Sequence, residues 1–521
     1  MNYIKKHSDY FIFILIIIFF AFLFKDYWTT DTVLTRDDLP IIVPLSKVES
    51  FTDYFRLVKN NTILDVQPVR DLSLLFNLAV LNLTGKPWFR GFNFIIFSLI
   101  LLLTIRLMKR LNFGKPAIYF SLLILAMHPV MVSATGWISA RKHTLALLFL
   151  LLALVSFLKD KKITRSVNLW FLLSVLSHQI FILFPLWLLI YFKFLNIKVP
   201  RARLCTLIAV GMIGFIPAFF KTFVFKMGNT MFMRESLGEN ISRAVLSIGR
   251  AVSQLVFPVS LSAVYDQGNP LNLIGIPVLI LTLAFFYKKK SMTALTWLSL
   301  AALAFAPTLF TFVNDTYLYL PFISSLIACN YYFAENPVKL PRPLIYSFLF
   351  VFIGLLSVKT ISAAGMWRSD FELWKYSFEN EKSPYTKILL SRSVIPVQPE
   401  YGLELLIEGV KGFDLSTNEN VTSFFLPKIY TSPLPIQRKI EIFRECYIDS
   451  ILYQSYFGLT LAEGNEAQMW EGIKILKKVL QPEESYPEGS DGRKIYAGLK
   501  YLCKNFPGKE VVCSELAITS F

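Results

Sequence analysis

Three stretches hold the side chains whose types and spacing could do chemistry. The first is "TRDDLP", residues 35–40, where Asp37 and Asp38 stand side by side a few residues beyond an apolar run. Neighbours on an extended segment point in opposite directions, so one carboxylate can face a cavity while the other anchors the loop. A carboxylate partly desolvated at a membrane surface is a better proton acceptor, which is what activating a hydroxyl needs. The plainer reading of the pair is a solvated loop start or a helix cap. The second stretch is "HPVMVSATGWISARKH", residues 128–143. Pro129 breaks the helix that ends at His128, and Arg141-Lys142-His143 opens the next apolar run. Such cations pair with phosphate oxygens, or simply reach into headgroups. The third is His178 in "LLSVLSHQIFILFP", at a very short turn, where it can sense charge, bind a ligand or hydrogen-bond a carbonyl. Arg243 and Arg250, seven apart, are expected on one face of an amphipathic helix at headgroup depth.

The element that must position these groups is a membrane bundle. The 521 residues are 54% hydrophobic and 17% charged, with a mean hydropathy of +0.51. Soluble domains carry roughly a quarter charged residues. The apolar runs are single stretches of about twenty residues, which excludes an outer-membrane barrel and predicts helices. Run 10–24 follows basic "MNYIKKHSDY" with no small-residue cleavage site after it, and reads as an uncleaved signal anchor with its N-terminus inside. Further spans are expected near 91–107, 117–133, 143–158, 166–178, 179–195, 203–224, 271–287, 293–310, 317–333 and 343–363, about eleven in all.

Charge sets the orientation. "RLMKRLNFGK", "KDKKITR", "KFLNIKVPRAR" and "KKKSM" close alternate spans and belong on the cytoplasmic face. The opposite face then receives loop 25–90 and everything beyond about residue 364. The net charge of +17 is uneven: residues 369–521 hold 17 Lys/Arg against 21 Asp/Glu. Because the bases lie at span ends rather than on one soluble face, nucleic-acid binding is not indicated. Between residues 72 and 234 the only acid is Asp160, so the first outer loop must supply a carboxylate needed on that face.

Beyond Trp374 the composition becomes soluble. Segment 455–482 has a helix–turn–helix layout with Gly458, Gly464 and Pro482 in register, and 401–413 and 494–507 could be degenerate neighbours. No cysteine or histidine spacing suggests a structural metal. If the tail is extracytoplasmic, Cys503 and Cys513 are the first choice for a disulfide, with Cys446 left over.

The order of "DD", "QPVRDLSLLFN", "HPVMVSATGWISARKH", "LLSHQIFILFPLWLLIY", "LVFPVSLSAVYD", "NDTYLYLP" and "SDFELW" resembles the transmembrane-and-TPR O-mannosyltransferase group of the GT-C glycosyltransferases, through residues 1–375. The resemblance implies an all-α, polytopic GT-C bundle over 1–366 and a soluble, α-helical, TPR-like extracytoplasmic domain over 367–521. It implies a glycosyltransferase that uses a polyprenyl-phosphate-linked sugar as donor and a hydroxyl as acceptor, Ser/Thr of an exported protein, a glycan or a lipid. Asp37 and Asp38 match the catalytic carboxylate of the first outer loop. Arg141 and Lys142 match the basic pair that meets the donor phosphate, with Arg70, His128 and His178 as further candidates. A bacterial inner membrane with a periplasmic active face is the favoured setting, the lumenal face of the ER the eukaryotic one. No cofactor or metal is fixed by the sequence. The chain departs from its relatives at several charged positions. They carry acids where it has Ser133 and His143, Lys-Glu where it has His178-Gln179, Glu-Arg where it has Asp315-Thr316, and Arg where it has Gln67. Such changes allow a different donor, or a silent relative that serves as lipid-binding scaffold or assembly partner.

Overall fold

The structure is a computed structural model. It describes residues 13–21, 38–59, 66–86, 88–198, 201–219, 237–258, 260–263, 265, 269–309, 314–336, 341–411, 426, 429–432, 434–445, 451–481, 485, 491–505 and 509–516. Asp37 lies outside the described residues, as does Cys446. Among the described residues there is no strand; the protein is all-α. The chain divides into two compact units, Met1–Leu373 and Trp374–Phe521, a few residues beyond the boundary expected at 366/367.

The first unit runs through α1 (13–21), α2 (Leu39–Leu45), α3 (Phe51–Lys59), α4 (Pro68–Thr84), α5 (Phe89–Arg110), α6 (Lys115–Met127) and α7 (Val132–Gly136). It continues through α8 (Arg141–Asp160), α9 (Arg165–Ser177), α10 (Phe184–Phe194), α11 (Arg201–Phe219) and α12 (Leu237–Val256). α13 (Leu271–Lys288), α14 (Met292–Phe305), α15 (Tyr319–Glu335) and α16 (Arg342–Gly365) complete it. α8 is its centre, packed against α5 and α9, and most of its length is buried.

Eleven spans are expected; among the described residues four single helices are long and apolar enough to cross a membrane: Phe89–Arg110, Ile138–Asp160, Leu271–Lys288 and Pro343–Arg368. The pair Lys115–Met127 and Pro129–Gly136 reaches that length and apolarity only when taken together, and it turns by 61°. Pro129 supplies the bend because it lacks an N–H and its ring crowds the preceding turn. Gln179–Phe194 and Met292–Thr308 are apolar but shorter.

The seven-residue spacing puts Arg243 and Arg250 on one face of an amphipathic helix, and α12 is amphipathic: Ser247, Arg250, Ser253 and Gln254 are buried while Ile241, Val245 and Val256 are exposed. The polar stripe faces the protein. That stripe finds its partners within the protein: Arg250 Nη2 donates to the Ser260 carbonyl at 3.0 Å and Gln254 Nε2 donates to the same oxygen at 2.6 Å. Two glycines lie where α12 meets α13: a Cβ on Gly249 would lie 1.8 Å from the Asn272 carbonyl oxygen, and one on Gly275 would lie 1.8 Å from that of Gly249. The backbones of α12 and α13 therefore touch, as small residues allow within membranes.

The second unit is built of short helices. After α17 (Asp370–Asn380) come α18 (Pro384–Val394) with α19 (Pro399–Lys411), then α20 (Ile436–Glu445), α21 (Ile451–Glu463) with α22 (Glu466–Val479), α23 (Asp491–Asn505) and α24 (Glu510–Glu515). α18 with α19, and α21 with α22, are helical hairpins. The Asn465–Gln468 capping box starts α22 right after the Gly464 turn. A Cβ on Gly472 would meet the Gly458 carbonyl oxygen at 2.5 Å, so that hairpin also closes on glycine. The core runs from Ile388 through Tyr453, Leu459 and Ile473 to Leu499 and Val512. Cys503 and Cys513 form a disulfide with Cα atoms 6.3 Å apart.

Candidate functional site

The candidate residues sit where helices break. His128 ends α6, and its Nδ1 accepts the Val130 N–H at 3.3 Å, starting the 3-10 turn Pro129–Met131. His178 ends α9 and does the same for Ile180 at 3.1 Å, starting Gln179–Phe181. Asn314 Oδ1 accepts the Thr316 N–H at 3.0 Å, starting Asp315–Leu318. All three side chains satisfy a backbone donor that a helix start leaves orphaned. Turn 129–131 packs on turn 315–318, and α8 contacts turns 138–140, 179–181 and 315–318, so the breaks gather around the start of α8.

Asp38 enters this cluster from the first loop. It is fully buried, and its Oδ1 accepts the Ser139 N–H at 2.8 Å and the Ser139 hydroxyl at 2.5 Å. Ser139 belongs to the 3-10 turn Ile138–Ala140, two residues before Arg141. The Asp38 carboxylate and the "WISARKH" stretch, 101 residues apart, are thus joined by two charge-assisted bonds.

Arg141 is fully buried too. Its Nε donates to Asn93 Oδ1 at 2.7 Å, Nη2 to the Phe89 carbonyl at 2.7 Å, and Nη1 to the Ser73 carbonyl at 3.3 Å and to Asn77 Oδ1. One guanidinium therefore ties α4 and α5 to the start of α8. Lys142 follows at a half-buried position. α5 also holds the loop directly: Asn93 Nδ2 donates to the Trp137 carbonyl at 3.0 Å, and Arg90 donates to the carbonyls of Gly136, at 3.2 Å, and Trp367. Arg70 is engaged locally. It is buried with Asp71, donating to Asp71 Oδ1 through Nε at 2.8 Å and Nη2 at 2.5 Å. Asp71 Oδ2 takes the Tyr54 hydroxyl at 2.8 Å and the Gln67 N–H at 3.1 Å.

Several of the positions singled out by the sequence touch one another. Gln67 Nε2 donates to Gln179 Oε1 at 3.1 Å, and the rings of His143 and His178 lie 4.3 Å apart. The ring of Tyr317, beside Thr316, stands edge-on to His143 at 5.3 Å, and the Ser133 and Tyr319 hydroxyls are 2.8 Å apart. A further cluster joins Tyr265, whose hydroxyl donates to Asp315 at 2.5 Å, to Arg250, which stacks over the Tyr265 ring at 4.2 Å. Burial first, then the Asp315 charge, pushes the Tyr265 phenol well above its ordinary range, so it stays a donor.

Sequence reasoning missed Ser139, Asn77, Arg90, Asn93 and Tyr265. Arg90 and Asn93 carried a signal, being two polar residues three apart inside a 22-residue apolar helix, where polar groups are costly. Ser139 carried none. Among the described residues no three His, Cys, Asp or Glu side chains gather as metal ligands. Comparison with protein-family models, with curated proteins and with solved structures found no match.

Proposed function

We propose that this chain is a membrane glycosyltransferase of GT-C type, moving a sugar from a polyprenyl-phosphate carrier to an acceptor hydroxyl on the extracytoplasmic face. The acceptor class is Ser/Thr of an exported protein, and the favoured setting is a bacterial inner membrane with the second unit in the periplasm. The observation that carries this reading is the buried junction of Asp38 with Ser139. It sets an acid from the first outer loop against a stretch that ends in Arg141 and Lys142.

In the proposed reaction a carboxylate takes the acceptor proton as the oxygen attacks the anomeric carbon. The bond from that carbon to the phosphate oxygen breaks, and the configuration inverts. Charge grows on the departing phosphate, so a fixed cation beside it lowers the barrier. Arg141 already donates to four protein acceptors. It serves by holding the start of α8, and Lys142 carries the contact to the phosphate. On this reading Asp38, held by Ser139, anchors the loop and Asp37 is the base.

Two further observations support the reading. Positions where the resembled family carries opposite charges meet here as an amide pair, Gln67 with Gln179, and an imidazole pair, His143 with His178, the pattern left when ion pairs are replaced together. The Cys503–Cys513 disulfide suits an oxidising compartment. On this reading the short apolar helices complete a bundle of about eleven crossings, and the hairpins of the second unit form a degenerate TPR-like module that presents the acceptor. A second reading keeps the fold without the chemistry: with Arg141 committed to protein acceptors, the chain is a silent lipid-binding scaffold.

The test is transfer in vitro from a synthetic polyprenyl-phosphate sugar to a Ser/Thr peptide. Asp37→Asn is expected to abolish turnover with the melting temperature unchanged, whereas Asp38→Asn lowers both. Full turnover by Asp37→Asn would remove it from the mechanism. Donor binding without turnover in the wild type selects the scaffold.

A further inference from the structure

A groove of about 880 Å³ lies at the C-terminal end of α13, between it and α15. That size is within the range of sites that take a drug-sized molecule, about 300–1,000 Å³. Its wall is aromatic: the Tyr332 ring packs on Phe285 at 4.8 Å and on Phe286 at 5.0 Å, with Phe333 beside them. Its rim is cationic. Lys288 and Lys289 line it, Lys290 follows, and all three are exposed. The acid beside them, Glu335, takes the Ser291 hydroxyl. Along the outer side of α13, Leu281, Phe285 and Tyr287 are exposed, so in a bilayer this helix runs beside acyl chains.

An apolar cleft opening toward lipid and ending in adjacent lysines is complementary to one kind of molecule, an amphiphile with an anionic head. We propose that this groove is a binding site for an anionic phospholipid. Its acyl chain lies against Phe285, Phe286 and Tyr332, and its phosphate meets Lys288 and Lys289. Basic pockets between membrane helices bind acidic headgroups by this combination of point charge and apolar wall. The site uses none of the residues assigned to glycosyl transfer and stands whether or not that activity is found.

The test uses the full chain in phosphatidylcholine nanodiscs doped with photoreactive phosphatidylglycerol or photoreactive phosphatidylcholine, with adducts mapped by mass spectrometry. Adducts of the anionic probe are expected on peptides covering 281–289 and 329–336. Each lysine near an anionic headgroup is worth about fivefold in occupancy, so Lys288→Gln/Lys289→Gln should lower labelling about 25-fold. Ala284→Trp, which fills the groove without touching charge, should lower it comparably. Lys109→Gln/Arg110→Gln, at the basic end of α5, should leave it unchanged. Equal labelling by the neutral probe, or equal loss in the α5 variant, would overturn the site in favour of general surface attraction. Displacement of the probe by polyprenyl phosphate but not by unlabelled phosphatidylglycerol would overturn the assignment to a phospholipid.

Discussion

Arg141 offers the sharpest discrimination between a side chain that binds a ligand and one that holds the fold. Arg141→Lys keeps the positive charge and discards the fork. A guanidinium reaches Asn93 Oδ1 from one edge and Asn77 Oδ1, Ser73 O and Phe89 O from the others. A single ammonium nitrogen cannot serve acceptors spread around that plane. If lysine satisfies two of the four, two buried acceptors are left open, each costing about 1–3 kcal/mol. The weaker bond at 3.3 Å is the first to be surrendered, which favours the lower half of the range. A loss of about 3 kcal/mol follows, and for a unit of this size that is a fall in melting temperature of about 4 °C. The assay is thermal denaturation of the detergent-solubilised chain with no lipid donor added, together with amide hydrogen exchange across residues 136–146. The loss must be present without ligand. A variant that melts within about 1 °C of wild type, with exchange unchanged and only donor affinity reduced, would refute the structural role.

Three further outcomes are expected. Gly249→Leu should prevent α12 and α13 from packing, because a Cβ there would stand 1.8 Å from the Asn272 carbonyl oxygen; a cross-link between a pair of cysteines introduced into the two helices should form with Gly249 in place and fail in the variant. Non-reducing peptide mapping should recover Cys503 joined to Cys513, and reduction should lower the stability of the second unit by about 2.5–3 kcal/mol for so short a loop, read by its hydrogen exchange. Burial raises the carboxyl of Glu463, which takes the Tyr430 hydroxyl at 2.5 Å, above its ordinary value of 4.5. Its folded pKa therefore exceeds its unfolded one, so its contribution is greatest below 4.5 and is lost as pH rises through the raised value. Protection of α21 amides should fall over that window, and Glu463→Gln should flatten the dependence.

The sequence by itself determined the class of molecule and the sites of its breaks. A chain 54% hydrophobic with apolar runs of about twenty residues must fold into helices, several of them long and apolar enough to cross a membrane, and a proline after His128 must bend one of them. The Gly458–Gly464 pattern located the helical hairpin, and the ten-residue spacing of Cys503 and Cys513 marked the pair that bonds. These features are local or compositional, so periodicity and residue type carry them. Only the tertiary structure decided which partner each polar group takes. Asp38 could have been a solvated cap; it is buried because the turn carrying Ser139 comes to rest against it. Arg141 could have faced headgroups; it is buried because α4 and α5 bring four acceptors to the start of α8. The seven-residue spacing of Arg243 and Arg250 fixed a helical face but not its direction, which depends on what packs against the helix. Partner choice depends on where helix ends from distant parts of the chain meet, and that meeting has no period for a sequence to display.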